Sequence, residues 1–152
     1  MTPEYIVIHH SLTADSGTVS WGAIRRYHVQ ELGWKEIGYQ AGVELVGDAY
    51  EILLGRLSDG PGAHAKEAGM NERSFGVCLI GNFDEAPPPE PQWEKALQLV
   101  RWLQRLFGIP AANVIGHREV GLLAGLDWTK GEYKSCPGRL FSMAEFRGAL
   151  AA

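Results

Sequence analysis

Three positions in this 152-residue chain carry good metal ligands at points where secondary structure should end. His9 and His10 close the short apolar run Tyr5-Ile6-Val7-Ile8. His117 follows Val114-Ile115. Cys136 sits in Lys134-Ser135-Cys136-Pro137-Gly138, just ahead of a final helix. Imidazole nitrogen and thiolate sulfur are donors that zinc favours, and three protein ligands leave a fourth tetrahedral position open, which marks a catalytic site rather than a structural one. Zinc held in this way brings the pKa of bound water to about 7, so hydroxide is available at neutral pH. Ligands far apart in sequence converge when they stand at the ends of neighbouring strands. The spacing itself matches no short local metal motif. From the residues alone, three unrelated side chains remain the alternative, with Cys136 a small buried hydrophobe.

The elements that must position these residues follow from local pattern. Residues 5–8 are β-branched and aromatic and read as a strand. Residues 12–19 read as a loop. Ser20 can cap a helix whose apolar positions Ile24, Tyr27, His28 and Leu32 recur at helical spacing, with Gly33 as its stop. Residues 39–46 and 49–54 read as a hairpin about Gly47-Asp48. Residues 56–73, rich in glycine and polar side chains, predict a long surface loop of a kind that often carries function. Phe75-Gly76-Val77-Cys78-Leu79-Ile80 is almost continuously apolar, as expected of a strand buried on both faces. Residues 84–91 hold four of the eight prolines and read as a connector.

The clearest helix spans 92–107, with Trp93, Ala96, Leu97, Val100, Leu103 and Phe107 in one stripe and Gly108 and Pro110 beyond its end. Val114-Ile115 is a short strand and 120–135 a second long loop. Ser142 with Glu145 makes a capping box for a last helix over 143–150. The alternation of strands and helices predicts a single α/β domain over 1–152 with a mixed sheet.

Composition narrows the partners. Hydrophobic residues make up 45% and charged residues 21%, with a formal net charge of -4. A domain of this size buries roughly 70% of the surface its unfolded chain exposes, so it can build a core without disulfides. There is no long basic run, which argues against a nucleic-acid partner. No apolar stretch has membrane-spanning length, which argues against membrane insertion. Met1-Thr2-Pro3-Glu4-Tyr5 does not read as a secretory signal, so a cytoplasmic chain is expected. In that compartment Cys78 and Cys136 are expected as a free thiol or a metal ligand rather than a disulfide.

Five stretches together resemble the type-2 N-acetylmuramoyl-L-alanine amidase family. They are Ile6-Val7-Ile8-His9-His10-Ser11; Gly33-Trp34 with Ile37-Gly38-Tyr39; Gly62-Ala63-His64-Ala65; Ser74-Phe75-Gly76-Val77-Cys78-Leu79-Ile80-Gly81-Asn82-Phe83; and Gly116-His117-Arg118-Glu119 with Lys134-Ser135-Cys136-Pro137-Gly138. Each piece alone is modest, but the five run in family order. The family includes phage lysozymes that act as amidases, animal peptidoglycan recognition proteins and cytoplasmic bacterial amidases that recycle wall fragments.

The resemblance implies a central mixed sheet flanked by helices and a zinc groove on one face; a monomer is expected. It also implies hydrolysis of the amide joining N-acetylmuramic acid to L-alanine in peptidoglycan or muropeptides, on the wall after release if the chain is phage-derived. By position it assigns His9, His117 and Cys136 to Zn2+. Tyr39 and Lys134 become the catalytic side chains, Tyr39 on the water or the carbonyl and Lys134 on the oxyanion. His64 and Asn71 become groove residues that meet substrate. His9 is preferred over His10 because it directly follows the apolar run and adjacent side chains on a strand face opposite ways. The chain departs from the short members' pattern over 120–130, which adds Asp127 and Trp128 between the second and third ligands.

For other residues the reading stays open. His10 and His28 are expected to be structural. Cys78 is a core thiol or a neighbour of the metal site. Glu119 is either an orienting partner for His117 or a surface charge. Asp127 is a loop acid, and Trp34 packs the helix end or stacks on sugar. Two rival functions remain: a non-catalytic peptidoglycan-binding protein, and a structural zinc site completed by Cys78 or His64.

Overall fold

The computed structural model describes residues 1–14, 20–56 and 60–152, so parts of the loops expected over 12–19 and 56–73 lie outside the described residues. Five strands form one sheet: β1 (Tyr5–His10), β2 (Ala41–Val46), β3 (Ala49–Leu54), β4 (Ser74–Leu79) and β5 (Val114–Gly116). Their order is β3-β2-β4-β1-β5. β1 runs parallel to both neighbours, β4 and β5, and β4 runs parallel to β2. Only the β2–β3 hairpin is antiparallel, and it turns at Gly47-Asp48 as the sequence predicts. The mixed sheet is therefore as expected.

Successive side chains on a strand face opposite ways, and that alternation divides the molecule. Ile6 and Ile8 of β1 lie beside Phe75 and Val77 of β4, and these join one core with α3 (Glu90–Phe107) and α5 (Met143–Ala151). Val7 lies on the other face, with Ala65, Met70, Ile115 and Val120. The α3 stripe packs as its spacing predicts, and Leu103 is wholly buried. Truncating it to alanine would cost about 2–5 kcal/mol. α3 begins two residues before the expected start because Pro91 falls in its first turn, where no backbone donor is needed. It ends at Gly108, whose φ of 69° suits glycine.

Three local expectations need correction. The helix expected to run from Ser20 through Leu32 is α-helical only over α1 (Trp21–Arg26) and continues as a π-helix over Tyr27–Glu31. A π-turn holds more residues than an α-turn, so a 3.6-residue stripe does not stay on one face. Ile24 and His28 are half-buried, while Tyr27 and Leu32 are exposed.

The stretch 56–73 is not all surface loop. It contains a 3-10 turn over Glu67–Gly69 and the short α2 (Met70–Arg73), and it buries His64, Ala65 and Met70. The stretch 120–135 is not all loop either. α4 (His117–Leu123) begins at the second histidine, and a 3-10 turn spans Trp128–Lys130. Neither α2 nor α4 is long enough to show an apolar period in sequence. Packing on the sheet holds them, through Met70 and Val120. Among the described residues no helix is long and apolar enough to cross a membrane.

Candidate metal and catalytic site

β1 and β5 are parallel neighbours, so their carboxyl ends leave the sheet side by side. In open α/β sheets that edge is where ligands bind. His9 lies near the end of β1, on the face opposite α3. His117 follows β5 directly as the first residue of α4. Cys136 arrives from the segment after α4. All three are buried, at 1%, 5% and 9% exposed, and one ligand atom from each lies within 4.8 Å of the others. The expected trio thus comes together.

The second nitrogen of each imidazole already has a partner. His9 Nε2 is 2.9 Å from His64 Nδ1, and His117 Nε2 is 3.0 Å from the Tyr133 hydroxyl. Nδ1 of each ring remains, and His9 Nδ1 is 3.7 Å from Cys136 Sγ. Burial drives His117 down to about 3, with Lys134, His64 and His10 adding positive charge nearby. Burial, then the neighbouring His117 and His64, also hold His9 well below its ordinary value. Both rings are therefore neutral at pH 7, the state in which a ring nitrogen can bind metal. Burial pushes the Cys136 thiol up to about 12, against the pull of the His10 backbone N–H and of Lys134. A coordinated metal deprotonates such a thiol outright. Two imidazoles and one sulfur, with no fourth protein ligand in the cluster among the described residues, fit zinc with one position open.

The third-ligand segment is pinned from both sides. Asp84 accepts from Ser135 Oγ at 2.8 Å and from the Arg139 backbone N–H at 2.8 Å. Arg118, a buried residue of α4, donates to the carbonyls of Gly138 and Phe141 and lies 4.8 Å from the Trp128 ring. Its own backbone N–H donates to the Cys136 carbonyl. A buried guanidinium with carbonyl partners fixes a loop because withdrawing either partner would strand a charge.

Tyr39, Lys134, His64 and Asn71 line one groove of about 590 Å³ with the three ligands. The Tyr39 ring lies 5.1 Å from that of His9, with the Cys78 thiol nearby. Burial raises the Tyr39 phenol well above its ordinary value, and the nearby Cys78 and Cys136 add to the shift. Cys78 stands opposite His9 in the β1–β4 register, so both side chains share a face. It is at once a fully buried core thiol and a neighbour of the site. Lys134 is exposed, with its ammonium 5.7 Å from the Tyr133 ring.

His64 fills a slot between Gly62 and Gly76, where a Cβ on either glycine would collide with its ring. Asn71 Oδ1 accepts from the backbone N–H groups of His64 and Ala65, at 2.8 and 2.9 Å, and holds that loop in place.

His10 faces away from the trio, and its Nδ1 accepts from the Phe83 N–H at 3.1 Å. His28 Nδ1 accepts from the Gly38 N–H, and its ring packs 4.6 Å from Trp34. Each thus has a backbone hydrogen bond of the kind expected of a structural residue, and both also line the groove. Asp127 caps its own turn through Thr129. Glu119 is neither orienting partner nor free surface charge. As the third residue of α4 it reaches back to the Gly116 N–H at 2.7 Å and pairs with Arg147 at 2.9 Å.

Tyr133 and Glu67 are neighbours of His117 that no sequence motif singles out. The Tyr133 hydroxyl donates to Glu67 at 2.6 Å while contacting His117. Burial tends to raise the Glu67 carboxyl, but hydrogen bonds from Tyr133 and the backbone, with Lys66 and Lys134 nearby, leave it below its ordinary value. No local signal marks either residue, since their partners are distant in sequence.

The family model described as N-acetylmuramoyl-L-alanine amidase matches residues 1–139. The chain belongs to this family. It is 36% identical to the endolysin of Enterobacteria phage K11 over 118 residues, 74% of this chain and 73% of that protein. It is 32% identical to peptidoglycan-recognition protein LB of Drosophila melanogaster over 128 residues, which cover 76% of this chain and 51% of that protein. Among solved structures, the N-acetylmuramoyl-L-alanine amidase LysC from Clostridium intestinale URNW superposes with a TM-score of 0.79 at 27% identity, over 99% of this chain and 87% of that one. The amidase fold thus extends through α5, beyond the segment that the family model covers.

Proposed function

We propose that this chain hydrolyses the amide between the lactyl group of N-acetylmuramic acid and L-alanine in peptidoglycan or its fragments, with zinc held by His9, His117 and Cys136. The observation that carries this reading is the grouping of those three ligands with Tyr39 and Lys134 in one groove. When bound, zinc supplies a Lewis acid and makes water a nucleophile at neutral pH. Lys134 places an ammonium on the groove, where it meets the negative charge that develops on the carbonyl oxygen. An aimed charge of this kind acts mainly on the transition state. Tyr39, a protonated phenol, holds the water or the carbonyl oxygen. The oxygen of water ends on the lactyl carbonyl carbon, the carbon–nitrogen bond breaks, and the alanine nitrogen leaves with a proton. His64 and Asn71 line the groove where substrate would pass.

The test is digestion of purified peptidoglycan and of soluble muropeptides side by side, counting new alanine amino termini with zinc and after chelation. Zinc-dependent termini from either material support the proposal, and the comparison identifies the substrate form. Binding without any new termini would leave a recognition protein of the same fold. Unfolding of the chelated chain at room temperature would point to a structural metal.

A further inference from the structure

The Tyr133 hydroxyl has one hydrogen and lies between two groups. It donates to Glu67 Oε2 at 2.6 Å and sits 3.0 Å from His117 Nε2. With its hydrogen committed to the carboxylate, the oxygen can only accept from the ring, so His117 Nε2 must carry the proton. That leaves the lone pair on Nδ1. The Tyr133 ring also stands edge-on to the His117 ring, with centroids 5.6 Å apart and planes at 81°.

This placement is built into the backbone on both sides. The Tyr133 ring fills the space that a Cβ at Gly121 of α4 would occupy. Glu67 opens a turn in which the next residue, Ala68, is held at a φ of 53°. A non-glycine residue in that region is strained and persists only where the surroundings dictate it.

We infer that Glu67 and Tyr133 are a positioning pair for His117: Glu67 orients the Tyr133 hydroxyl, and the hydroxyl fixes the tautomer and rotation of the imidazole so that Nδ1 faces His9 and Cys136. The inference rests on the zinc reading above. It adds two residues, from the Glu67–Gly69 turn and the segment after α4, that act on the site through His117 rather than as ligands. Outer partners of this kind typically change metal affinity about 10- to 100-fold.

The experiment is a competition titration of zinc against a chromophoric chelator, paired with absorption spectra of the cobalt-loaded protein. Tyr133→Phe keeps the ring against Gly121 and removes only the hydroxyl. It should bind zinc about 10- to 100-fold more weakly and shift the cobalt bands, while the urea midpoint of the metal-free protein stays near that of the wild type. Glu67→Ala should weaken zinc in the same direction, and Glu67→Gln, which keeps an acceptor oxygen, should recover part of the loss. The double variant Tyr133→Phe with Glu67→Ala should be no worse than Tyr133→Phe alone, because Glu67 acts through the hydroxyl. Wild-type affinity and an unchanged cobalt spectrum in Tyr133→Phe would overturn the inference, as would fully additive losses in the double variant. A wild-type protein that takes up no zinc would overturn the metal site itself, and the two failures are therefore distinguishable.

Discussion

His64 stands behind His9 as its hydrogen-bond partner, with His64 Nδ1 2.9 Å from His9 Nε2. For His9 to present Nδ1 toward Cys136 its Nε2 must carry hydrogen, and His64 is the acceptor that stabilises that tautomer. A loop residue expected to meet substrate is thus also part of the support for the first ligand. Its slot between Gly62 and Gly76 shows how closely the loop is fitted to the strand end.

Replacing His64 by phenylalanine keeps a ring in that slot and removes the acceptor. Zinc affinity should fall about 10- to 100-fold, read by competition titration. If affinity is unchanged and KM alone rises, His64 serves substrate rather than His9.

Cys136→Ser and Cys136→Asp should separate charge from shape at the third ligand. The site is 9% exposed, so a neutral hydroxyl is a poor substitute for thiolate there. Aspartate supplies an anionic oxygen that zinc accepts at about 2.0–2.2 Å, close to its distance from nitrogen. The serine variant should lose most zinc binding and activity, and the aspartate variant should keep a measurable part of both. Equal loss in the two would indicate a pocket tuned to sulfur.

Lys134→Ala should keep its zinc and still bind peptidoglycan, yet lower kcat roughly 100- to 1000-fold, the usual loss when one oxyanion donor is removed. Lys134 is exposed and contributes little to the core, so the fold should be indifferent to the change. An unaltered kcat would make it a solvated lysine. Loss of the metal would make it a support for the site.

The metal-free protein should lose stability as pH falls below about 6.5. His64 is held at about 4, His117 at about 3 and His9 well below 6.5, each chiefly by burial. With the folded pKa below the unfolded one, the unfolded chain binds more protons throughout that window, so stability rises with pH and is complete above about 6.5. The lowered carboxyls of Glu4, Glu36, Glu67, Asp84 and Asp127 act in the same direction only below about 5. The interval from about pH 6.5 to about 5 therefore belongs to the histidines and should cost on the order of a few kcal/mol. Urea midpoints that stay flat across it would show that the rings accept protons in the folded state.

Much of this protein is legible in its sequence. β1, the β2–β3 hairpin, β4 and α3 follow from short-range hydrophobic period and turn chemistry, which act within a few residues and so are written locally. His9, His117 and Cys136 could be named because ligand type and position at element ends are local too, and because five stretches stand in family order. The same local rule separated His9 from His10, since alternation along a strand needs no tertiary information.

Tertiary structure decided what depends on distance across the chain. α2 and α4 are too brief to show a period and exist because Met70 and Val120 find the sheet. Glu119 could not be assigned from sequence, because its partner, Arg147, comes from α5. The contacts of His64, Tyr133, Glu67 and Arg118 were likewise hidden, for each partner is far away in sequence or is a backbone carbonyl that carries no sequence signal. The family resemblance pointed to His9, His117 and Cys136 as candidate ligands. Only the folded chain could show which second nitrogen each imidazole had already committed, because that depends on where a neighbour's hydrogen lies in space.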